Sequence, residues 1–147
     1  PAVADLVIWD LYDGPRAVTA ALTLDALASL RGLLPAERGL AVLNVSDVLP
    51  FDVVRPVLAS LRMCFADVAL LAEPSTLRGR RSGNCVLVAS AGEPLPVDEM
   101  ARRSAGAPVR GRVVAGDDLD RFVAGAVPAT DSAPLPLPDA ALGRGFL

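Results

Sequence analysis

The chain contains no histidine. This absence removes histidine-based triads, histidine-ligated zinc and the usual proton carrier near neutral pH. Any acid or base chemistry must then rest on carboxylates, the single tyrosine or water. Lysine is missing too, since all 14 basic residues are arginine. With abundant Ala, Pro, Gly and Val, that points to a GC-rich coding genome more than to a function. There is no basic block and the formal net charge is −3, which argues against nucleic acid as a partner, because such binding rests on neutralising phosphates. Anionic membranes are disfavoured by the same reasoning. Cysteines are few: Cys64 falls in a helical pattern and Cys85 in a strand pattern, as expected of buried thiols in a reducing compartment rather than of disulfides or a metal site. No uncharged apolar stretch approaches the roughly 18 residues needed to cross a bilayer, and no basic-then-apolar leader precedes the first strand. A soluble, cytoplasmic protein is the expectation. Only six residues are aromatic, so the core must be built mainly from Leu, Val and Ala.

What is present suffices for one domain: 147 residues, 52% of them apolar, with a mean hydropathy of +0.45. Leu6 to Trp9 is a short continuous apolar run, the pattern of a strand covered on both faces. Gly14 and Pro15 mark a loop. Thr19 or Thr23 can cap a helix running to about Leu34, with Leu24, Leu27, Leu30 and Leu34 at helical spacing and Pro35 as its stop. Leu40 to Val45 is a second apolar run, completing a strand, helix, strand unit. After the loop from Ser46 to Phe51, a second helix spans about Asp52 to Phe65, with Val54, Val57, Leu58 and Leu61 on one face and Pro56 confined to its first turn. Val68 to Ala72 and Cys85 to Ala89 read as further strands. The loop between them, Glu73 to Asn84, has no helical pattern, so those two strands are expected to be antiparallel. The expected architecture is α/β, with a mostly parallel sheet and one reversed strand at or near an edge.

Beyond Ser90 the pattern weakens. Val97 to Arg103 and Asp117 to Val123 read as short helices, with Asp98 and Asp117 near their starts, where the helix dipole favours acids. The domain is drawn over residues 1–125, and 126–147 reads as a Pro/Gly-rich tail, extended or frayed.

In open parallel sheets, ligands bind where strands end and loops converge. Asp10 ends the first strand and Asn44, Ser46 and Asp47 end the second. If the strands are neighbours, their ends lie about 5 Å apart, which places Asp10, Asp13, Asn44 and Asp47 on one acidic rim. Such a rim suits a cationic guest: a carboxylate accepts a proton from an amine and stabilises the positive charge beforehand. Burial and a like-charged neighbour would raise one carboxylate's pKa. The plain alternative is that these acids cap turns and helices. Tyr12 can stack on a ligand or pack beside the Gly-Pro turn. Arg78, Arg80 and Arg81 suit an anion or a neighbouring subunit, or simply decorate a solvated hairpin loop.

The order LVIWDLYDG, a Leu-rich helix after ALTLDAL, GLAVLNVSD, and RPVLASLRMCFADVALLAEPSTLRGRRSGNCVLVAS resembles the carboxyl-terminal half of the spermidine synthase family and its spermidine-synthase-like relatives, over roughly residues 4 to 125. The strongest element is two acids three residues apart after a strand. The resemblance implies the Rossmann-like class I methyltransferase fold, with an antiparallel terminal strand pair and with the amino-terminal half of the fold missing. It implies a transferase of polyamine biosynthesis that moves an aminopropyl group from decarboxylated S-adenosylmethionine to a small cationic amine. Asp10 takes the family's catalytic base position. Asp13 takes the position that holds the diamine, and Tyr12, Asn44 and Asp47 are the further substrate-binding candidates. No prosthetic group or metal is implied. The adenosyl donor is a co-substrate, and the residues that hold it precede the catalytic loop in the family, so they are unknown here and the piece alone should be inactive. A homo-oligomer, most simply a dimer, is expected.

Leu11, Tyr12 and Gly14 stand where family members that make spermidine have two small hydroxyl residues and a proline, and NVSD stands where they tend to show a glutamine with a small or acidic cluster. Two alternatives therefore stay open: a non-catalytic homologue that keeps the sheet for dimerisation or ligand binding, and an S-adenosylmethionine-dependent methyltransferase. A stand-alone flavodoxin-like or receiver-like domain would need a phosphate loop or an early acid cluster, and neither is visible.

Overall fold

The computed structural model describes residues 3–13 and 16–136. The expected Gly14–Pro15 loop and residues 137–147 of the Pro/Gly-rich tail lie outside the described residues. The first strand, β1 (Leu6–Trp9), is followed by a two-residue ribbon of β2 (Tyr12–Asp13) and β3 (Arg16–Ala17), a 3-10 turn over Thr19–Leu22, and α1 (Leu24–Gly32). Thr23 is the cap that sets the start of α1: its side chain accepts the Ala26 amide at 3.2 Å, satisfying one of the orphan donors of the first turn. Leu27 and Leu30 then fall on the buried side of the helix. Pro35 and Gly39 end the connection, and β4 (Leu40–Asp47) returns parallel to β1 with Leu6 opposite Leu40 and Trp9 opposite Leu43.

The next helix, α2 (Val54–Cys64), buries Val54, Val57, Leu58 and Leu61 and carries Pro56 in its first turn, where the missing N–H costs no helical bond. It leads to β5 (Asp67–Ala72), a single helical turn α3 (Pro74–Leu77), and β6 (Gly83–Ser90). After β6 come α4 (Val97–Gly106), β7 (Arg112–Val114) and α5 (Gly116–Val123). The turn α3 and the strand β7 carry no periodic signal and were not expected.

The sheet corrects the expected topology. Its order is β1-β4-β6-β5-β7, and of these four pairings β1–β4 is parallel while the other three are antiparallel. The sheet is therefore mostly antiparallel in its pairing. β4 and β5 do point the same way, as the strand, helix, strand pattern requires. The reversed strand β6 inserts between them instead of lying at an edge. Its length explains this: all eight residues of β6 pair with β4, and six also pair with β5, so both of its edges are hydrogen-bonded. An edge position would leave one of them open.

Helices α1, α2 and α5 pack together on one face of the sheet. Leu43, Val45, Leu70, Cys85 and Leu87 point into that layer and are fully buried. Phe51 and Phe122 close its end, with ring centroids 5.1 Å apart. Helix α4 packs against β7. The start of the segment drawn as a tail is fastened to α1: Leu24 N–H donates to Ala129 O at 2.7 Å, Thr23 Oγ1 donates to Asp131 Oδ1 at 2.6 Å, and Ala129 and Leu135 are buried.

Candidate functional site

Because side chains alternate along a strand, every second residue at the carboxyl ends of β1 and β4 shares a face. Trp9 pairs with Leu43, so Asp10 stands level with Asn44. The two meet: Asn44 Nδ2 donates to Asp10 Oδ1 at 3.1 Å. The chain then turns back over β4, and the Tyr12 hydroxyl accepts the Ser46 amide at 2.8 Å while lying 3.3 Å from Ser46 Oγ. Ser46 Oγ in turn donates to Asn84 Oδ1 on β6 at 2.8 Å. The result is a polar row, Asp10–Asn44–Tyr12–Ser46–Asn84, running across three strands on the face away from α1 and α2.

The row has acceptors to spare. Among the described residues Asn44 Oδ1 is buried with no hydrogen-bond partner, an arrangement that costs about 1–3 kcal/mol. Asp10 is exposed, and its contact with Asn44 is made across 34 residues of sequence rather than within a local turn. Asp13 is also exposed, on β2 opposite Arg16 in register. The arrangement suits a guest that carries N–H donors and positive charge.

Asp47, expected on the same rim, is not there. With Leu43 and Val45 it faces the helix layer, 3% exposed, and its oxygens are engaged by backbone amides: Oδ1 accepts Val48 at 2.8 Å, and Oδ2 accepts Val53 at 3.0 Å and Val54 at 2.8 Å. It caps α2 from a distance and holds the 48–53 loop, in which Phe51 takes a left-handed φ of 65°. The one-residue step from Ser46 to Asp47 reverses the face, which spacing along the sequence does not weigh. Burial raises the Asp47 pKa above the ordinary aspartate value, with Asp52 pushing the same way and the three amides opposing. The raised carboxyl is thus on the structural acid. Cys85, beneath it, is pushed up to about 12 by burial and by Asp47, which leaves an inert thiol.

Two members of the row, Ser46 and Asn84, were not site candidates. Asn84 becomes visible only with the antiparallel register that sets it opposite Ser46. Asn84 also lines a cleft of about 260 Å³ floored by Leu71 and Val86 and walled by Ser104, Val109 and Arg110. In the arginine loop, Arg81 is bound to Glu73 and to Ser75 Oγ, and Gly79 takes the left-handed turn at a φ of 68°. Among the described residues, no group of three His, Cys, Asp or Glu side chains is placed to hold a metal ion, and no helix is long and apolar enough to cross a membrane.

No family model matches the sequence, and no curated protein matches it. Among solved structures, the fold is similar to that of a probable spermidine synthase from Corynebacterium glutamicum, with a TM-score of 0.81 and 26% sequence identity. The match covers 89% of this chain and 48% of that one. The chain thus spans about half the length of the protein it resembles. A mixed α/β, spermidine-synthase-like fold is common to both.

Proposed function

We propose that this chain supplies the amine-acceptor side of a spermidine-synthase-like transfer site. The observation that carries the reading is the Asp10–Asn44 contact where β1 ends beside β4, with Asp10 exposed. The likeness to a probable spermidine synthase supports it. On this reading the acceptor is a small aliphatic diamine and the donor is decarboxylated S-adenosylmethionine.

The chemistry needs an acid at this place. An ammonium has no lone pair and cannot attack carbon. Asp10 takes a proton from the incoming ammonium, the freed lone pair forms a bond to the methylene next to the sulfonium, and the carbon–sulfur pair leaves as a thioether. Asn44 fixes the Asp10 carboxylate through one oxygen. Asp13 attracts the second ammonium of the diamine. Tyr12 positions the loop that carries both acids by its bond to the Ser46 amide.

Calorimetric titration of the chain with 1,4-diaminobutane tests this. Saturable binding, weakened at least tenfold in Asp10→Asn and several-fold in Asp13→Asn, is the expected result. Binding that is equally strong in Asp10→Asn, or no binding at all, overturns the proposal.

A further inference from the structure

The polar row ends at Asn84, and there the cleft of about 260 Å³ begins. Leu70 and Leu87 face the helix layer, so their neighbours Leu71 and Val86 turn to the other side of the sheet. The two are paired in register and only half-buried, and they make an apolar floor. Helix α4 packs against β7, and the chain between them, residues 107–111, supplies most of the wall. Gly111 sets how close that wall comes. A Cβ there would lie 2.6 Å from Leu71 Cδ1, and the Gly111 amide donates to Ser104 O at 3.2 Å. The wall is thus fixed to the floor, while Val109 on it is left 66% exposed.

The polar groups around this floor are donors in want of acceptors. Among the described residues, the Arg110 guanidinium meets no carboxylate or carbonyl and the Ser104 hydroxyl meets no partner. Asn84 has its oxygen engaged by Ser46 and its Nδ2 hydrogens unengaged. The acid of the cleft, Glu73, is already bound to Arg81. The charge left without a partner is therefore that of Arg110. A guest for this place carries an acceptor and a single negative charge on an apolar body, the opposite of the guest that suits Asp10. Clefts for drug-sized ligands run to about 300–1,000 Å³, so this guest is smaller.

We propose that the cleft is a binding site for a small organic monocarboxylate with a branched or cyclic apolar body. Arg110 takes the carboxylate with its guanidinium fork, Asn84 Nδ2 and Ser104 Oγ donate to the same head group, and the hydrocarbon part lies on Leu71 and Val86 beside Val109. This inference does not rest on the amine reading: it uses a different set of residues and the opposite charge.

Titration of the chain with 4-methylpentanoate, followed by calorimetry and by the methyl resonances of Leu71 and Val86, tests it. The expected result is saturable binding that shifts both sets of methyls and exceeds that of 4-methylpentan-1-amine by about tenfold or more. Arg110→Gln weakens it by about tenfold and Arg110→Lys restores part of the loss. Arg80→Gln, which removes an exposed arginine outside the cleft, changes it by less than about twofold. Asp10→Asn, which removes the amine site, also leaves it within about twofold, so the two readings fail separately. Thermal melts check that each variant folds. Four results overturn the proposal: no saturable binding, equal binding of the amine, indifference to Arg110→Gln, or saturable shifts that miss Leu71 and Val86.

Discussion

Asp10 and Asp47 end neighbouring strands, yet their surroundings set them to opposite tasks. Asp47 faces the helix layer, where three backbone amides occupy its oxygens and hold the start of α2. Asp10 lies on the opposite face, where among the described residues the side-chain donor it meets is Asn44. An acid at a strand end therefore says little until its face is known. The same division runs through the apolar residues: Leu87 and Leu58 are fully buried, and Ile8 is 69% exposed in the same small fold.

The sharpest way to break this comparison is to truncate side chains on each face. Leu58→Ala should lower stability by about 2–5 kcal/mol, as expected for a cavity in a packed core, whereas Ile8→Ala should change it by less than about 0.5 kcal/mol. Urea denaturation of both variants checks this, and similar losses would mean that the faces are not different. Asp47→Ala comes next, at about 3 kcal/mol, because amides buried at the start of α2 lose a charged acceptor. Asp10→Asn should stay within about 0.5 kcal/mol of the parent while losing amine binding. Tyr12→Phe should cost about 1 kcal/mol, the value of one hydrogen bond, here to the Ser46 amide.

Much of the fold is legible because its elements are long and periodic. Leucines in α1, valines and leucines in α2, and the runs in β1, β4, β5 and β6 announce their type without help from tertiary structure. The order of the sheet is not legible in this way. A central antiparallel strand and a central parallel strand both read as apolar runs, so nothing in GNCVLVAS says that it inserts between β4 and β5. β7, three residues long, is created by pairing with β5. Of the acid rim, Asp10 and Asn44 come together because both follow the parallel register. Asp47 misleads because parity along a strand outweighs proximity in sequence. Asn84 is hidden because only the insertion of β6 brings it to Ser46.

The smallest expected effect is on pH dependence. Asp47 has a folded pKa above its unfolded value, so the folded state binds more protons in the interval between them. Stability due to this group is full below the unfolded value and falls as pH rises through the folded one. The stability of the parent relative to Asp47→Asn should therefore decline across that window and then level off. Paired denaturation series at stepped pH values measure it, and a rise over the same window would contradict the burial of the group.

The most direct measurement follows the Asn44 side-chain amide by nuclear magnetic resonance during titration with 1,4-diaminobutane. The account predicts saturable shifts of the Asn44 Nδ2 protons and of Tyr12, absent in Asp10→Asn, with the Val53 and Val54 amides that bind Asp47 unmoved. Shifts confined to those two amides, or none anywhere along the row from Asp10 to Asn84, would contradict it.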